Sequence, residues 1–98
     1  MIVDEDIDIE WSRIPHFYND FYVYQYATGY AAASAFAKSI LEKKEGAVDK
    51  YKGFLKSGGS KYPIDILKDA GVDMTTSEPL EATIKRFNEL LDMMEKEI

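Results

Sequence analysis

Cysteine is absent from the 98 residues, and histidine occurs once, as His16. Without thiols there is no disulfide framework, no thiol nucleophile and no Cys-ligated metal. A helical zinc peptidase places two histidines one turn apart with a glutamate base beside the first, and a third ligand converges on the ion. One histidine excludes that arrangement, so no metal ligand and no cofactor of its own are expected in this chain. Glycine is scarce as well, at six residues. Gly58-Gly59 follows a helical stretch and lacks the strand, spacing and lysine of a phosphate cradle, so it is read as a turn. No glycine-flanked serine sits on a strand-to-helix turn, and catalysis by this chain alone is therefore not expected.

Positive charge is also in deficit: 12 Lys and Arg stand against 18 Asp and Glu, a formal net charge of -6. That balance argues against nucleic acid as a partner, because such proteins carry a net basic domain or stripe. The acids cluster at Asp4, Glu5, Asp6, Asp8 and Glu10, where a secretory signal has a basic stretch and then an apolar one, so the expected location is cytoplasmic. Lys43, Lys44, Lys50, Lys52, Lys56 and Lys61 make the middle basic, and both charged regions read as solvated surface. The uncharged run from Phe21 to Ala37 is diluted by tyrosines, Gln25, Thr28 and Ser34, whereas a membrane span needs about 20 mainly apolar residues. No membrane helix is expected.

What is present is an apolar share of 46% with 13% aromatics, enough to fold one modest domain over residues 1–98. The spacing predicts an all-α antiparallel bundle of about four to five helices. Ile7, Trp11 and Ile14 share a helical stripe, although the alternation from Ile2 to Trp11 also fits a strand; a short helix is preferred, ended by Pro15. Ile14 to Asn19 then form a loop or turn. Asn19 or Asp20 is placed to cap a long central helix, apolar on nearly every face, that runs to about Lys44. Glu45-Gly46 breaks it. Val48, Tyr51, Phe54 and Leu55 predict an amphipathic helix from Ala47 to Lys56. Pro63 opens a short helix with Ile64 and Leu67 facing a core and Gly71 as a left-handed C-terminal cap. Ser77 is placed to cap the last helix, whose seam of Leu80, Ile84, Phe87, Leu91, Met94 and Ile98 reads as packed core.

One cluster remains: His16, Phe17, Tyr18, Phe21, Tyr22, Tyr24, Tyr26 and Tyr30. Aromatics with polar tips either pack as core with satisfied hydroxyls or line the wall of a cleft with hydroxyls presented to a peptide. A tyrosine or histidine donor aimed at a tetrahedral oxyanion is the sharper form of the second reading.

The run Arg13-Ile14-Pro15-His16-Phe17-Tyr18-Asn19-Asp20-Phe21-Tyr22-Val23-Tyr24-Gln25-Tyr26-Ala27-Thr28-Gly29 resembles the C-terminal signature of oligoendopeptidase F, in the thimet oligopeptidase family of zinc metallopeptidases. The likeness continues through Phe54-Leu55-Lys56-Ser57-Gly58-Gly59-Ser60, Tyr62-Pro63-Ile64 and Ala70-Gly71-Val72-Asp73-Met74. It implies a segment of a large helical enzyme that cleaves short peptides in a deep channel, with the zinc motif His-Glu-x-x-His lying before this region. That motif is absent here, so zinc belongs to the complete enzyme and not to this chain. The resemblance further implies that His16 and Tyr24 act catalytically by steadying the oxyanion, and that Tyr18 and Tyr22 bind the peptide backbone. A helix turns about 100° per residue, so Tyr22 and Tyr24 cannot both point squarely into one cleft. The implied partners are short peptides and a zinc-bearing lobe of the same family. A non-catalytic module that associates with itself through the aromatic helix is the competing reading. On either view the isolated chain is expected to oligomerise or to pack loosely.

Overall fold

The computed structural model describes residues 3–98. Four α-helices and two 3-10 helices account for the regular structure among the described residues, and no strand occurs there, in agreement with the all-α class. The α-helices are α1 (Tyr24–Leu41), α2 (Ala47–Ser57), α3 (Pro63–Asp69) and α4 (Glu78–Glu97). The 3-10 helices, Glu5–Arg13 and Pro15–Tyr18, precede them.

The N-terminal stripe does form a helix, of the tighter 3-10 kind. Asp4 caps it, its carboxylate accepting the Asp6 N–H at 3.3 Å, while Ile2 lies outside the described residues. Pro15 ends this helix and also starts the next, because its fixed φ suits a first helical position. Of the loop or turn expected over Ile14 to Asn19, a helical turn at Pro15–Tyr18 is what forms.

Neither Asn19 nor Asp20 caps α1. The chain reaches a left-handed conformation at Phe21 (φ 59°), and α1 begins only at Tyr24, behind Val23, without a side-chain cap. The positive φ breaks the helical path, so both candidate caps stand on its wrong side. The Gln25 and Tyr26 amides instead donate back three residues, to the Tyr22 and Val23 carbonyls, each at 3.2 Å.

At its other end α1 stops at Leu41, earlier than Lys44. Lys43 adopts φ 53°; its amide donates to the Ile40 carbonyl at 3.0 Å, and the Lys44 amide to that of Ser39 at 2.9–3.0 Å separation typical of a strong bond, here 3.0 Å. This is the Schellman pattern with lysine where glycine is usual. α3 ends the same way with its expected glycine: Gly71 (φ 90°) donates to the Lys68 carbonyl at 2.9 Å and Val72 to that of Leu67 at 2.8 Å. Ser77 precedes α4 but does not cap it, since its hydroxyl donates to the Glu81 carboxylate at 2.6 Å instead.

The core lies at the C-terminal half of α1. Ala32, Phe36, Ala70 and Val72 are buried there, with Tyr51, Phe54, Leu67 and Met74 half-buried around them. The Phe36 ring meets Tyr51 at 5.2 Å and Phe54 at 5.1 Å between centroids. α4 reaches α1 through its first turns, where Pro79 and Ala82 are buried. Two expectations fail at this level. Ile64, Val48 and Leu55 are exposed, and Ile66 is the α3 residue that is buried. The α4 seam of Leu80, Ile84, Phe87, Leu91, Met94 and Ile98 is likewise exposed, although α4 packs against α1. Of the apolar α1, only Ala31, Ala32 and Phe36 are buried.

Candidate functional site

The aromatic cluster occupies the second 3-10 helix, the left-handed turn at Phe21 and the first turns of α1. Pro15 sets the start of the short helix, and the turn folds the chain back so that the His16 ring lies 5.6 Å from that of Tyr22, tilted by 34°. Tyr22 and Tyr26 are four residues apart and so share a face. Their rings meet edge-on, 5.9 Å apart at 88°, and the Tyr26 hydroxyl donates to that of Tyr22 at 3.4 Å. That hydrogen bond, with the unfavourable approach of two phenolates, raises the pKa of Tyr26 above the usual phenol value. The Tyr26 hydroxyl therefore stays protonated near neutrality.

Of the four residues singled out by sequence, this arrangement joins His16 and Tyr22. Tyr18 turns the other way, its hydroxyl donating to the Ser12 carbonyl on the first 3-10 helix. Tyr24 lies about 200° round the α1 axis from Tyr26 and is 57% exposed, so it belongs to a different face. Tyr26, a member of the aromatic cluster though not one of those four, completes the array; its four-residue spacing from Tyr22 is the signal that marks it. All five side chains are exposed, Tyr22 at 40%, so none of them is packed as core of this segment.

The residues present do not fit a zinc ion. Among the described residues no group of three or more His, Cys, Asp or Glu side chains is placed to hold a metal. His16 faces an aromatic ring rather than a second ligand. Among the described residues no helix is long and apolar enough to cross a membrane.

The chain is all-helical among the described residues and carries an exposed histidine-tyrosine array at the start of α1. The sequence model of peptidase family M3 matches residues 3–86, and the chain belongs to that family. It is 60% identical over 96 residues to oligopeptidase PepF of Bacillus subtilis, covering 98% of this chain and 14% of that protein. With the oligoendopeptidase F homolog of Borreliella burgdorferi it shares 53% identity over 93 residues, or 95% of this chain and 16% of the relative. The crystal structure of oligoendopeptidase-F from Enterococcus faecium superposes with a TM-score of 0.86 at 47% identity, over 95% of this chain and 18% of that one. The chain thus spans less than a fifth of the length of these relatives.

Proposed function

We propose that residues 1–98 form one helical unit that serves as the C-terminal, substrate-binding segment of a cytoplasmic zinc oligopeptidase hydrolysing short peptides. The unit supplies no zinc ligand. Its contribution is positioning: hydroxyl and imidazole donors at His16 and Tyr24 steady the oxyanion that develops as the scissile carbonyl becomes tetrahedral, and Tyr18 and Tyr22 hold the peptide backbone. The observation that carries this reading is the exposed packing of His16 on Tyr22 and of Tyr22 on Tyr26; the roles of Tyr18 and Tyr24 rest on the family motif alone. Rings that pack against one another while their polar tips stay in solvent suit a wall of a peptide cleft. Donors fixed before reaction stabilise developing charge without reorganising at the moment it forms.

The test is a chimera in which this chain replaces the matching segment of the Bacillus subtilis oligopeptidase. The chimera is expected to cleave a quenched short peptide. Tyr24→Phe in it should lower kcat by about 10²- to 10³-fold, the usual cost of removing one oxyanion donor, with little change in KM. Equal losses in both parameters, or none, would remove Tyr24 from this role. An inactive but folded chimera would favour the competing reading, an interaction module without a part in catalysis.

A further inference from the structure

Two rings grip Tyr22 from different elements. The His16 imidazole lies 5.6 Å from it on the second 3-10 helix, and the Tyr26 ring meets it edge-on at 5.9 Å from α1. Of the three, Tyr26 alone stands on an α-helix, the one whose Ala31, Ala32 and Phe36 are buried, whereas Tyr22 lies in the turn behind the left-handed Phe21. Tyr26 is therefore the member that ties the array to the core-bearing helix.

The hydroxyls add a direction. A tyrosine hydroxyl has one proton to donate and lone pairs that accept. The Tyr26 proton points to the Tyr22 oxygen, 3.4 Å away, which leaves the Tyr22 proton for another acceptor. Tyr22 is 40% exposed, so that acceptor can come from outside the chain. A hydroxyl that accepts one hydrogen bond is polarised and donates the next more strongly. The backbone atom of a peptide that takes such a donor is a carbonyl oxygen, since a peptide N–H would compete for the oxygen that Tyr26 already engages.

We infer that Tyr26 is a positioning residue: it holds Tyr22 with its proton free to donate to a backbone carbonyl oxygen of the bound peptide, and does not touch the peptide itself. The inference rests on the peptide-binding role given to Tyr22 above; it adds which peptide atom Tyr22 takes and which residue aims it. A donor fixed before the peptide arrives spares the cost of ordering it on binding. The one proton of Tyr26 is committed to Tyr22, so its own hydroxyl has none to offer a peptide carbonyl.

The experiment uses the chimera described above and a labelled short peptide whose scissile bond is N-methylated, so that it binds without being cut. Dissociation constants are read by fluorescence anisotropy. Tyr26→Phe keeps the ring and removes the hydroxyl, and is expected to weaken binding by about 2- to 10-fold, the span of one neutral hydrogen bond. Tyr22→Phe should weaken it at least as much. The double variant should bind as Tyr22→Phe alone does, because a residue that acts only through Tyr22 has nothing further to lose. Unchanged affinity in Tyr26→Phe would overturn the inference. So would a full further loss in the Tyr22→Phe background, which marks a peptide contact of Tyr26's own or a general loosening, and so would a folded chimera that does not bind the peptide. Cleavage is scored separately on the unmethylated peptide: a folded chimera that binds with the expected pattern but does not cleave sinks the peptidase reading and leaves Tyr26 in its role, while one that cleaves and shows additive losses does the reverse.

Discussion

Lys43 occupies a left-handed position that glycine fills in the matching turn after α3. For an L residue this conformation costs roughly 1–2 kcal/mol. Lys43→Gly should therefore stabilise the fold by about 1 kcal/mol, part of the gain being lost to the greater freedom of the unfolded chain. Chemical denaturation of the two proteins side by side would show it as a higher midpoint. Asp73 is the second residue with a definite energetic signature. Its carboxylate accepts from the Thr75 hydroxyl at 2.6 Å and the Thr75 amide at 2.9 Å, and pairs with Lys68 at 3.0 Å. Led by the Thr75 hydroxyl, these contacts hold its pKa down to about 2. A depressed carboxyl contributes stability above its unfolded value, near 4, and loses it as pH falls towards 2. Asp73→Asn should flatten the acid dependence of helicity over that window, which circular dichroism against pH would follow; a profile identical to the parent would refute the link.

At the scale of elements, α2 carries a glycine in its interior. A Cβ on Gly53 would meet nothing within 4 Å, and its φ is not in the left-handed range. Gly53→Ala should stabilise α2 by about 0.5–1 kcal/mol through backbone entropy alone. A thermal melt should then shift upward by roughly 2–8 °C. α4 makes the opposite point. Its seam is regular enough to define a helix of 20 residues, yet only Pro79 and Ala82 in the opening turns are buried, and from Ile84 onward every residue is exposed. Regular spacing specifies that a face is apolar; it does not specify what covers that face.

The whole molecule has the dimensions of a part. Its radius of gyration is 17.9 Å, against about 13 Å for a compact domain of 100 residues. Among the described residues no large side chain is less than 2% exposed, and the buried apolar set is dominated by alanines. A core that small offsets little of the conformational entropy lost on folding. The isolated chain is accordingly expected to unfold over a broad temperature range and to bind an apolar dye, as loosely packed states do. Within the chimera the same segment should melt with the whole and bind no dye. A sharp, cooperative transition of the isolated chain, with no dye signal, would contradict this.

Composition and spacing alone were enough for the helical class, for the approximate positions of the α-helices and for the punctuation at Pro15, Pro63 and Gly71; the family was legible only as a resemblance to a known motif. Those properties depend on a residue's own backbone preferences and on its near neighbours. The tertiary structure decided the rest. It put Phe21 and Lys43 in left-handed turns, which moved both ends of α1, and it joined His16 to Tyr22 and Tyr26 while leaving Tyr18 and Tyr24 on other faces. It also left the α4 seam bare. The turns and the aromatic array turn on single backbone conformations that spacing does not record, and the bare seam on surfaces that meet across long sequence separations, since periodicity along one chain records only that a surface is apolar, not where its complement lies.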